Sequence, residues 1–182
     1  MTNSIYRSLY GYLYHKQVHL CDMMPKLTII TITYNNFIGL RKTAESVLAQ
    51  TRNDFEWIII DGASIDETQT YLLEIKQKCH RKQQDLQIIS EQDGGIYNAM
   101  NKGIRLAHGE YCLFLNSGDC LYDKDVLDKV FTSPRTSDIF YGDYYTSTGL
   151  LRHGTDMEEV TTLYFVDYTI HHTGCAFIRR SL

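Results

Sequence analysis

The segment Asn116-Ser117-Gly118-Asp119 brings an amide, a hydroxyl and a carboxylate together within a few residues. It directly follows the apolar run Tyr111–Leu115, which predicts a buried strand. In open α/β sheets, ligands bind beyond the carboxyl ends of the strands. Oxygen ligands at such an edge suit Mg²⁺ or Mn²⁺ carrying a phosphate, but Asn, Ser, Gly and Asp are also ordinary turn formers. The segment therefore predicts either a metal-assisted phosphate site or a turn alone.

Polar residues also follow the other predicted strands. The strands and the residues after them are Leu27–Thr33 with Tyr34 and Asn35, Phe55–Ile60 with Asp61, and Leu86–Ile89 with Asp93. Parallel strands would bring all these ends to one edge, where several carboxylates repel one another. A divalent cation, or a nucleotide offering N–H and hydroxyl donors, would relieve that repulsion.

The elements that position these residues alternate between strand and helix. The predicted helices span about residues 40–50, from a cap at Asp66 to about His80, from Ile96 to a stop at Gly109, and from a cap at Asp123 to about Phe131. In the third helix Ile96, Met100, Ile104 and Ala107 are expected to face inward. Further strands are predicted at Ile139–Tyr145 and Cys175–Ile178. This order predicts an α/β fold with a mostly parallel, Rossmann-like sheet and helices on both faces.

Composition narrows the class of protein. A chain of 182 residues is expected to form one domain, and its formal charge of -4 argues against nucleic-acid binding. The five cysteines are odd in number and lack zinc-site spacing, which favours reduced thiols and a cytoplasmic location. No GxGxxG, GxxxxGK[ST] or GxSxG motif is present, which disfavours a dinucleotide site, a P-loop and a nucleophile-elbow hydrolase.

Residues 1–24 differ from the rest of the chain. Ile5, Tyr6, Leu9 and Tyr10 recur at helical spacing, which is compatible with an amphipathic helix at the inner face of the cytoplasmic membrane. The alternative interpretation is a disordered leader or a misassigned start. Residues 25–182 are expected to form a single domain.

Residues 26–121 contain five ordered blocks, namely Thr28–Asn35, Ser46–Thr51, Phe55–Ser64, Asp93–Gly103 and Gly109–Asp119. Together these blocks resemble the nucleotide-binding half of a family 2 glycosyltransferase with the GT-A fold. The resemblance implies a donor half at residues 25–121 and a partial acceptor half at residues 122–182. The last two blocks resemble enzymes of bacterial capsule, exopolysaccharide or O-antigen assembly. The resemblance implies a hexosyl- or related transferase that uses a nucleotide sugar, most often a UDP-sugar, and a saccharide or lipid-linked acceptor.

The resemblance also implies roles for the polar residues. Thr33 and Tyr34 would border the nucleoside, with Asn35 and Ser64 among the binding residues. Asp61 would accept a hydrogen bond from the base, usually uracil N3–H, and Asp93 would lie near the ribose and donor sugar. Asn116 to Asp119 would occupy the DXD position, where Asn116 and Ser117 would contact the donor and Asp119 would hold Mn²⁺ or Mg²⁺.

This sequence departs from the family pattern in two places. The family often has Asp-Asp-Gly-Ser where this chain has Asp61-Gly62-Ala63-Ser64, and Asp119 is the only charged residue of the DXD-like turn. Metal binding is therefore expected to be weak and assisted by substrate.

The catalytic base of an inverting family member normally lies after the segment that resembles Cys175–Leu182. The resemblance therefore places the usual base beyond Leu182, which is the last residue of this sequence. Substitutes without a family-like motif are Asp156, Glu158, Glu159, Asp167 and His172. The expectation is a donor-binding domain of a glycosyltransferase with weak or no transfer. The alternative is a catalytically inactive, truncated nucleotide-sugar-binding module.

Overall fold

A six-stranded sheet forms the centre of the computed structural model, which describes residues 26–132, 136–146, 148–152 and 176–181. The strands are β1 Leu27–Thr33, β2 Glu56–Asp61, β3 Asp85–Ser90, β4 Tyr111–Phe114, β5 Ile139–Tyr141, β6 Tyr144–Tyr145, β7 Leu151–Arg152 and β8 Ala176–Arg179. The helices are α1 Phe37–Leu48, α2 Thr68–Lys82, α3 Ile96–Leu106 and α4 Val126–Phe131. The order in the main sheet is β3-β2-β1-β4-β8-β5, and β6 and β7 pair separately.

The four strands β1 to β4 pair in parallel, as the alternating sequence pattern predicts. Strand β8 then inserts between β4 and β5 and is antiparallel to both. The predicted fifth strand at 139–145 divides into β5 and β6, which belong to different sheets. The sheet is therefore mixed but mostly parallel.

Two apolar cores lie on opposite faces of the sheet, because successive strand residues point to opposite sides. Ile29, Trp57 and Ile59 pack on the face that carries α1 and α2. Ile30 and Ile58 pack on the other face, against α3. Cys112 belongs to this second core, and burial raises the pKa of its thiol to about 11, as suits a residue used for packing.

Helix α3 presents only part of the face that its sequence predicts, because Met100 and Ala107 are buried as expected but two isoleucines are not. Ile96 and Ile104 are 52% and 39% exposed, whereas Ala99, Met100 and Gly103 are buried. The cause is close packing, since a Cβ atom at Gly103 would lie 2.4 Å from Ile30 Cγ2. Small residues therefore face the sheet, and the larger isoleucines remain at the rim.

Three predicted helix boundaries also differ. Asp66 lies before the start of α2, where its carboxylate accepts from the backbone N–H groups of Phe37 and Thr68, so it ties α1 to α2. Hydrogen bonds from Thr68 and from the backbone of Phe37 lower the pKa of the Asp66 carboxyl. Helix α4 begins at Val126, and the side chain of Asp123 accepts from the backbone N–H of Lys124 instead of capping the helix.

None of the helices in the described ranges has the length and apolar content needed to cross a bilayer.

Gly109 does not end α3, which stops at Leu106. It lies against β1 instead, where its N–H donates to Thr28 Oγ1 at 2.9 Å. A Cβ atom at this position would lie 2.5 Å from the backbone nitrogen of Thr28 and 2.7 Å from the carbonyl carbon of Leu27. Strand backbone cannot move aside as a flexible side chain can.

We therefore expect Gly109→Ala to lower the free energy of unfolding by roughly 2–3 kcal/mol, because it overpacks the start of β1. Thermal or urea unfolding of the purified chain measures this loss. Gly142→Ala is the matched control, since a Cβ atom there meets nothing within 4 Å. Equal stability of the two variants would contradict the close approach of Gly109 to β1.

Candidate functional site

The carboxyl ends of β1 to β4 meet at one edge of the sheet. The register pairs Thr33 with Asp61 and Asp61 with Ser90, which brings polar residues into a row. On the other side of β1, the N–H of Ser117 donates to the carbonyl of Ile32 at 3.0 Å. The predicted convergence of the strand ends is confirmed by this pairing.

A cleft of about 310 Å³ opens at this edge. Five of the residues predicted from sequence lie in its wall, namely Thr33, Tyr34, Asp93, Asn116 and Ser117. Asn36, Gly95 and Ile96 complete much of the remaining wall. A concave site with a few convergent polar groups is the usual form of a small-molecule site.

Two buried polar atoms in the cleft wall have no partner within the described part of the chain. They are Thr33 Oγ1 and Asn116 Oδ1. A buried oxygen without a hydrogen-bond partner lowers the stability of the folded state by roughly 1–3 kcal/mol, so such atoms are rare in native structures. Both atoms could bond to a ligand that enters the cleft.

Tyr34 and Asp93 approach each other over Gly62. A Cβ atom at Gly62 would lie 3.1 Å from Tyr34 Cδ2 and 3.2 Å from Asp93 Oδ2. The N–H of Gly95 donates to the other oxygen, Oδ1, at 2.8 Å and orients the carboxylate. Tyr34 is 65% exposed, so its ring offers an open aromatic face beside an anionic group.

Asp61 lies beneath this surface and is 0% exposed. Gln69 Nε2 and Ser90 Oγ each donate to Asp61 Oδ2 at 2.6 Å. The N–H and the hydroxyl of Ser64 also donate to this carboxylate. The oxygens of Asp61 are therefore supplied with donors from within the chain, and a direct bond to a base would have to displace one of them.

Asn35 and Ser64 connect the ends of β1 and β2. The N–H of Asn35 donates to Ser64 Oγ at 2.8 Å, and Asn35 Oδ1 accepts from the N–H of Ile65 at 2.8 Å. Asn35 has a positive φ of 46°, which asparagine tolerates better than most residues. These contacts hold the loops that surround the cleft, and direct ligand contact by either residue stays a prediction.

The Asn116–Asp119 turn is held at both ends. Ser117 exchanges hydrogen bonds with Asn36, since its hydroxyl donates to the Asn36 carbonyl and its own carbonyl accepts from Asn36 Nδ2. Gly118 has a φ of 112°, which favours glycine, and the N–H of Asp119 donates to the Asn116 carbonyl at 2.9 Å. Partial burial raises the pKa of the Asp119 carboxyl, opposed by a backbone hydrogen bond with Asn116 and by the nearby Lys42 cation.

The turn carries two side chains with oxygen atoms of the kind that bind a hard divalent cation, Asn116 and Asp119, and Asn116 is the one of these two that lines the cleft. Within the ranges described, no group of three or more His, Cys, Asp or Glu side chains gathers as a metal site. Asp119 supplies one carboxylate, and Asn116 Oδ1 is a buried oxygen in need of a partner. A cation here would take its other ligands from phosphate and water, as Mg²⁺ commonly does.

Several residues at the site were missed by sequence reasoning. Thr43 contacts the Asn116–Asp119 turn, and Gln69 and Ser90 surround Asp61. Thr43 does carry a signal, because it lies between Leu40 and Ala44 on the buried face of α1, where a polar residue needs a partner.

The predicted catalytic base is not placed by the described part of the chain. The substitutes named from sequence all lie outside the described residues, namely Asp156, Glu158, Glu159, Asp167 and His172. Leu182 and residues 1–24 also lie outside them. A base beyond Leu182 therefore stays a prediction, as do the roles suggested for the leader.

Comparison with known proteins decides the family. The family model described as "Glycosyl transferase family 2" matches residues 28–181, which is most of the chain. The chain belongs to glycosyl transferase family 2. The resemblance read from the five sequence blocks is thereby confirmed.

Two curated relatives of this family 2 chain come from bacteria. A "PGL/p-HBAD biosynthesis glycosyltransferase" of Mycobacterium bovis is 36% identical over 134 residues, which cover 71% of this chain and 51% of the relative. The "Poly(ribitol-phosphate) beta-N-acetylglucosaminyltransferase TarP" of Staphylococcus aureus is 32% identical over 126 residues, covering 66% of this chain and 37% of TarP. The chain thus spans about half the length of the first of these relatives and less of the second.

Solved structures support the GT-A fold. TarS 1-349 of S. aureus in complex with UDP-GlcNAc matches with a TM-score of 0.66 at 23% identity, covering 86% of this chain and 46% of that chain. The mannosyltransferase PcManGT of Pyrobaculum calidifontis, in complex with GDP-Man and Mn²⁺, matches with a TM-score of 0.64 at 19% identity. It covers 87% of this chain and 45% of that chain. The predicted fold class is confirmed.

The contacts of Asp61 in this family 2 chain predict a loss of stability when the Asp61 carboxylate is removed. Asp61→Ala leaves the donors of Ser64, Gln69 and Ser90 without their shared acceptor, so we expect the free energy of unfolding to fall by roughly 2–3 kcal/mol. Chemical denaturation measures the change. Asp93→Ala is the control, because this half-buried carboxylate at the same edge accepts one described hydrogen bond, from Gly95. Similar losses in both variants would contradict a structural role specific to Asp61.

Proposed function

We propose that this chain is the donor-binding domain of an enzyme that moves a sugar from a nucleoside diphosphate to a saccharide or lipid-linked acceptor. The acceptor belongs to bacterial cell-envelope glycoconjugate synthesis, and the preferred donor is a UDP-sugar. The observation that carries the proposal is the cleft itself, in which an exposed aromatic ring, a carboxylate and two unpaired buried oxygens adjoin the Asn116–Asp119 turn. The named activities of TarP and the UDP-GlcNAc complex of TarS support this choice of chemistry.

The nucleoside would occupy the end of the cleft next to Tyr34. Its exposed ring can pack against a planar base, and Asp93 lies beside that ring as an acceptor for N–H or hydroxyl donors. Because the Asp61 carboxylate is buried and supplied with donors, its contribution to base binding is indirect, through the loop that it holds with Ser64. Thr33 Oγ1 offers a further hydrogen-bonding atom to the nucleoside.

The diphosphate would lie at the other end, beside the turn. A Mn²⁺ or Mg²⁺ ion held by Asp119 and Asn116 would supply positive charge against the diphosphate as it departs. Asp119 contributes the anionic ligand, and Asn116 Oδ1 contributes a neutral oxygen. A carboxylate is still needed to remove the proton from the acceptor hydroxyl, a step typically worth about 10²–10⁴ in rate.

A screen of nucleoside diphosphates and nucleotide sugars by thermal shift, with and without Mn²⁺, tests the proposal without knowledge of the acceptor. Binding of a nucleotide sugar raises the melting temperature because the ligand binds only the folded chain. The absence of any shift across the panel would overturn the proposal. Donor binding with neither transfer nor donor hydrolysis would favour a nucleotide-sugar-binding module instead.

For the metal, we expect Asp119→Ala to remove the strengthening of UDP binding by Mn²⁺, because it deletes the one carboxylate of the turn. Calorimetric titration of UDP with and without Mn²⁺ measures the effect. Asp123→Ala is the matched control, since Asp123 is an exposed carboxylate in the same loop. If Mn²⁺ strengthened UDP binding in Asp119→Ala as much as in the wild type, Asp119 would not be a metal ligand.

For the base, we expect UDP to bind more tightly than ADP. Asp93 can accept from the imino N–H in the ring of uracil, whereas the unsubstituted ring nitrogens of adenine are acceptors and its N–H donors lie on the exocyclic N6 amino group, outside the ring. Asp93→Asn should narrow this preference, by about 1.5–3 kcal/mol if one charged hydrogen bond is lost.

Competition binding with both nucleotides measures the preference in the wild type and in each variant. Glu91→Gln is the control, since its carboxylate lies in the same loop and pairs with Lys102. Equal affinity of the wild-type chain for UDP and ADP would refute this assignment.

A further inference from the structure

Helix α1 and the residues that flank it hold the loop after β4 through a series of side-chain hydrogen bonds. Asn36 bonds to Ser117, Ser46 accepts from the N–H of Leu121, and Gln50 donates to the carbonyl of Asp123. Thr43 lies within this series, at the height of the Asn116–Asp119 turn. Its contacts differ from the others because they join both ends of the turn to one atom.

Thr43 is 0% exposed, and its hydroxyl lies near more carbonyl oxygens than its single hydrogen can bond to. Thr43 Oγ1 accepts from the N–H of Gly118 at 2.9 Å. It lies 2.7 Å from the carbonyl of Asp119, 3.2 Å from that of Asn116 and 3.1 Å from that of Gly39. A hydroxyl has a single hydrogen, so the shortest of these contacts, to Asp119, is the best candidate for its donated bond.

Gly118 is the residue of the turn with the greatest conformational freedom. Its φ of 112° is open to glycine but disfavoured for other residues, and nothing lies within 4 Å of the position of a Cβ atom. Its N–H is held by Thr43, and its carbonyl accepts from Lys42 Nζ at 3.0 Å. Consecutive residues of α1 thus restrain both polar groups of the glycine that precedes Asp119.

We infer that Thr43 is a positioning residue for the cation site, setting the direction of the Asp119 carboxylate by fixing the backbone on both sides of it. The inference rests on the proposed function. Because Asp119 supplies the only charge of the turn, little else in the turn would compensate for a misdirected carboxylate. Partners that orient metal ligands typically contribute 10–100-fold to metal affinity.

The decisive variant is Thr43→Val, which keeps the branched shape and removes the hydroxyl. In the 182-residue chain we expect the affinity for Mn²⁺ in the presence of UDP to fall roughly 10–100-fold. Binding of UDP without metal should stay within about twofold of wild type, since Thr43 is not part of the described cleft wall. Thr43→Ser should restore the metal effect, because it returns the hydroxyl.

Two controls separate positioning from general loosening of the loop. Ser46→Ala removes a hydroxyl of the same helix that holds the same loop at Leu121, and we expect it to keep the metal effect. Amide hydrogen exchange at Gly118 provides a readout that needs no ligand, since Thr43→Val deletes the acceptor of that N–H. Thr43→Ala gives the same comparison if the valine variant does not fold.

The outcomes distinguish this inference from the proposed function. Faster exchange at Gly118 together with an unchanged Mn²⁺ effect in Thr43→Val would overturn the positioning role. An equal loss in Thr43→Val and Ser46→Ala would also overturn it, since it would show loosening of the whole loop. Failure of Mn²⁺ to strengthen UDP binding in the wild-type chain would instead overturn the metal-dependent part of the proposed function.

Discussion

The parallel pairing of β1 with both β2 and β4 is the constraint on which the rest of the structure depends. It brings the ends of these strands to a single edge and leaves polar backbone and side-chain groups there in close proximity. Such groups must be paired or hydrated. The chain pairs some of them internally, around Asp61 and Thr43, and leaves others facing the cleft, at Thr33 and Asn116. Groups that support the structure and groups available to a ligand therefore lie side by side at the same edge of the sheet.

Asp61 and Asp93, two of the aspartates at this edge, illustrate that division. Asp61 ends β2, is fully covered, and serves as a common acceptor for three side chains from different elements. Asp93 follows β3 and stands at the surface, with its carboxylate oriented by Gly95 next to the ring of Tyr34. The glycine at position 62 makes this approach possible, because any side chain there would press on both Tyr34 and Asp93. At Gly62, where the sequence departs from the family pattern, the absence of a side chain thus leaves room for Tyr34 and Asp93 to approach each other.

Sequence patterns predicted the parallel strands well, because runs of β-branched residues such as Leu27–Thr33 admit few other interpretations. They predicted the face of α3 only in part: Met100 and Ala107 are buried as expected, but Gly103 and Ala99 face the sheet for reasons of space that a hydrophobic pattern does not encode. The place of β8 depends on pairing with residues far away in the chain, and no local signal specifies it. At the site, polar strand ends were visible as Tyr34, Asp61, Asp93 and Asn116. The burial of Asp61 was not visible, because Gln69 and Ser90 come from separate elements.

The position of β8 between β4 and β5 has a consequence for the order in which the protein can assemble. During synthesis, β1 to β4 leave the ribosome first and can pair with one another, whereas β5 emerges without its neighbour in the sheet. Until Ala176–Arg179 follows, the free edge of β4 exposes unpaired backbone groups of the kind that recruit foreign strands. Arg179 then joins the two sides, since it bonds to Tyr111 at β4 and pairs with Asp138 beside β5. Before β8 is added, the four parallel strands have open edges at β3 and β4, and β8 converts the second of these into an interior position of the sheet.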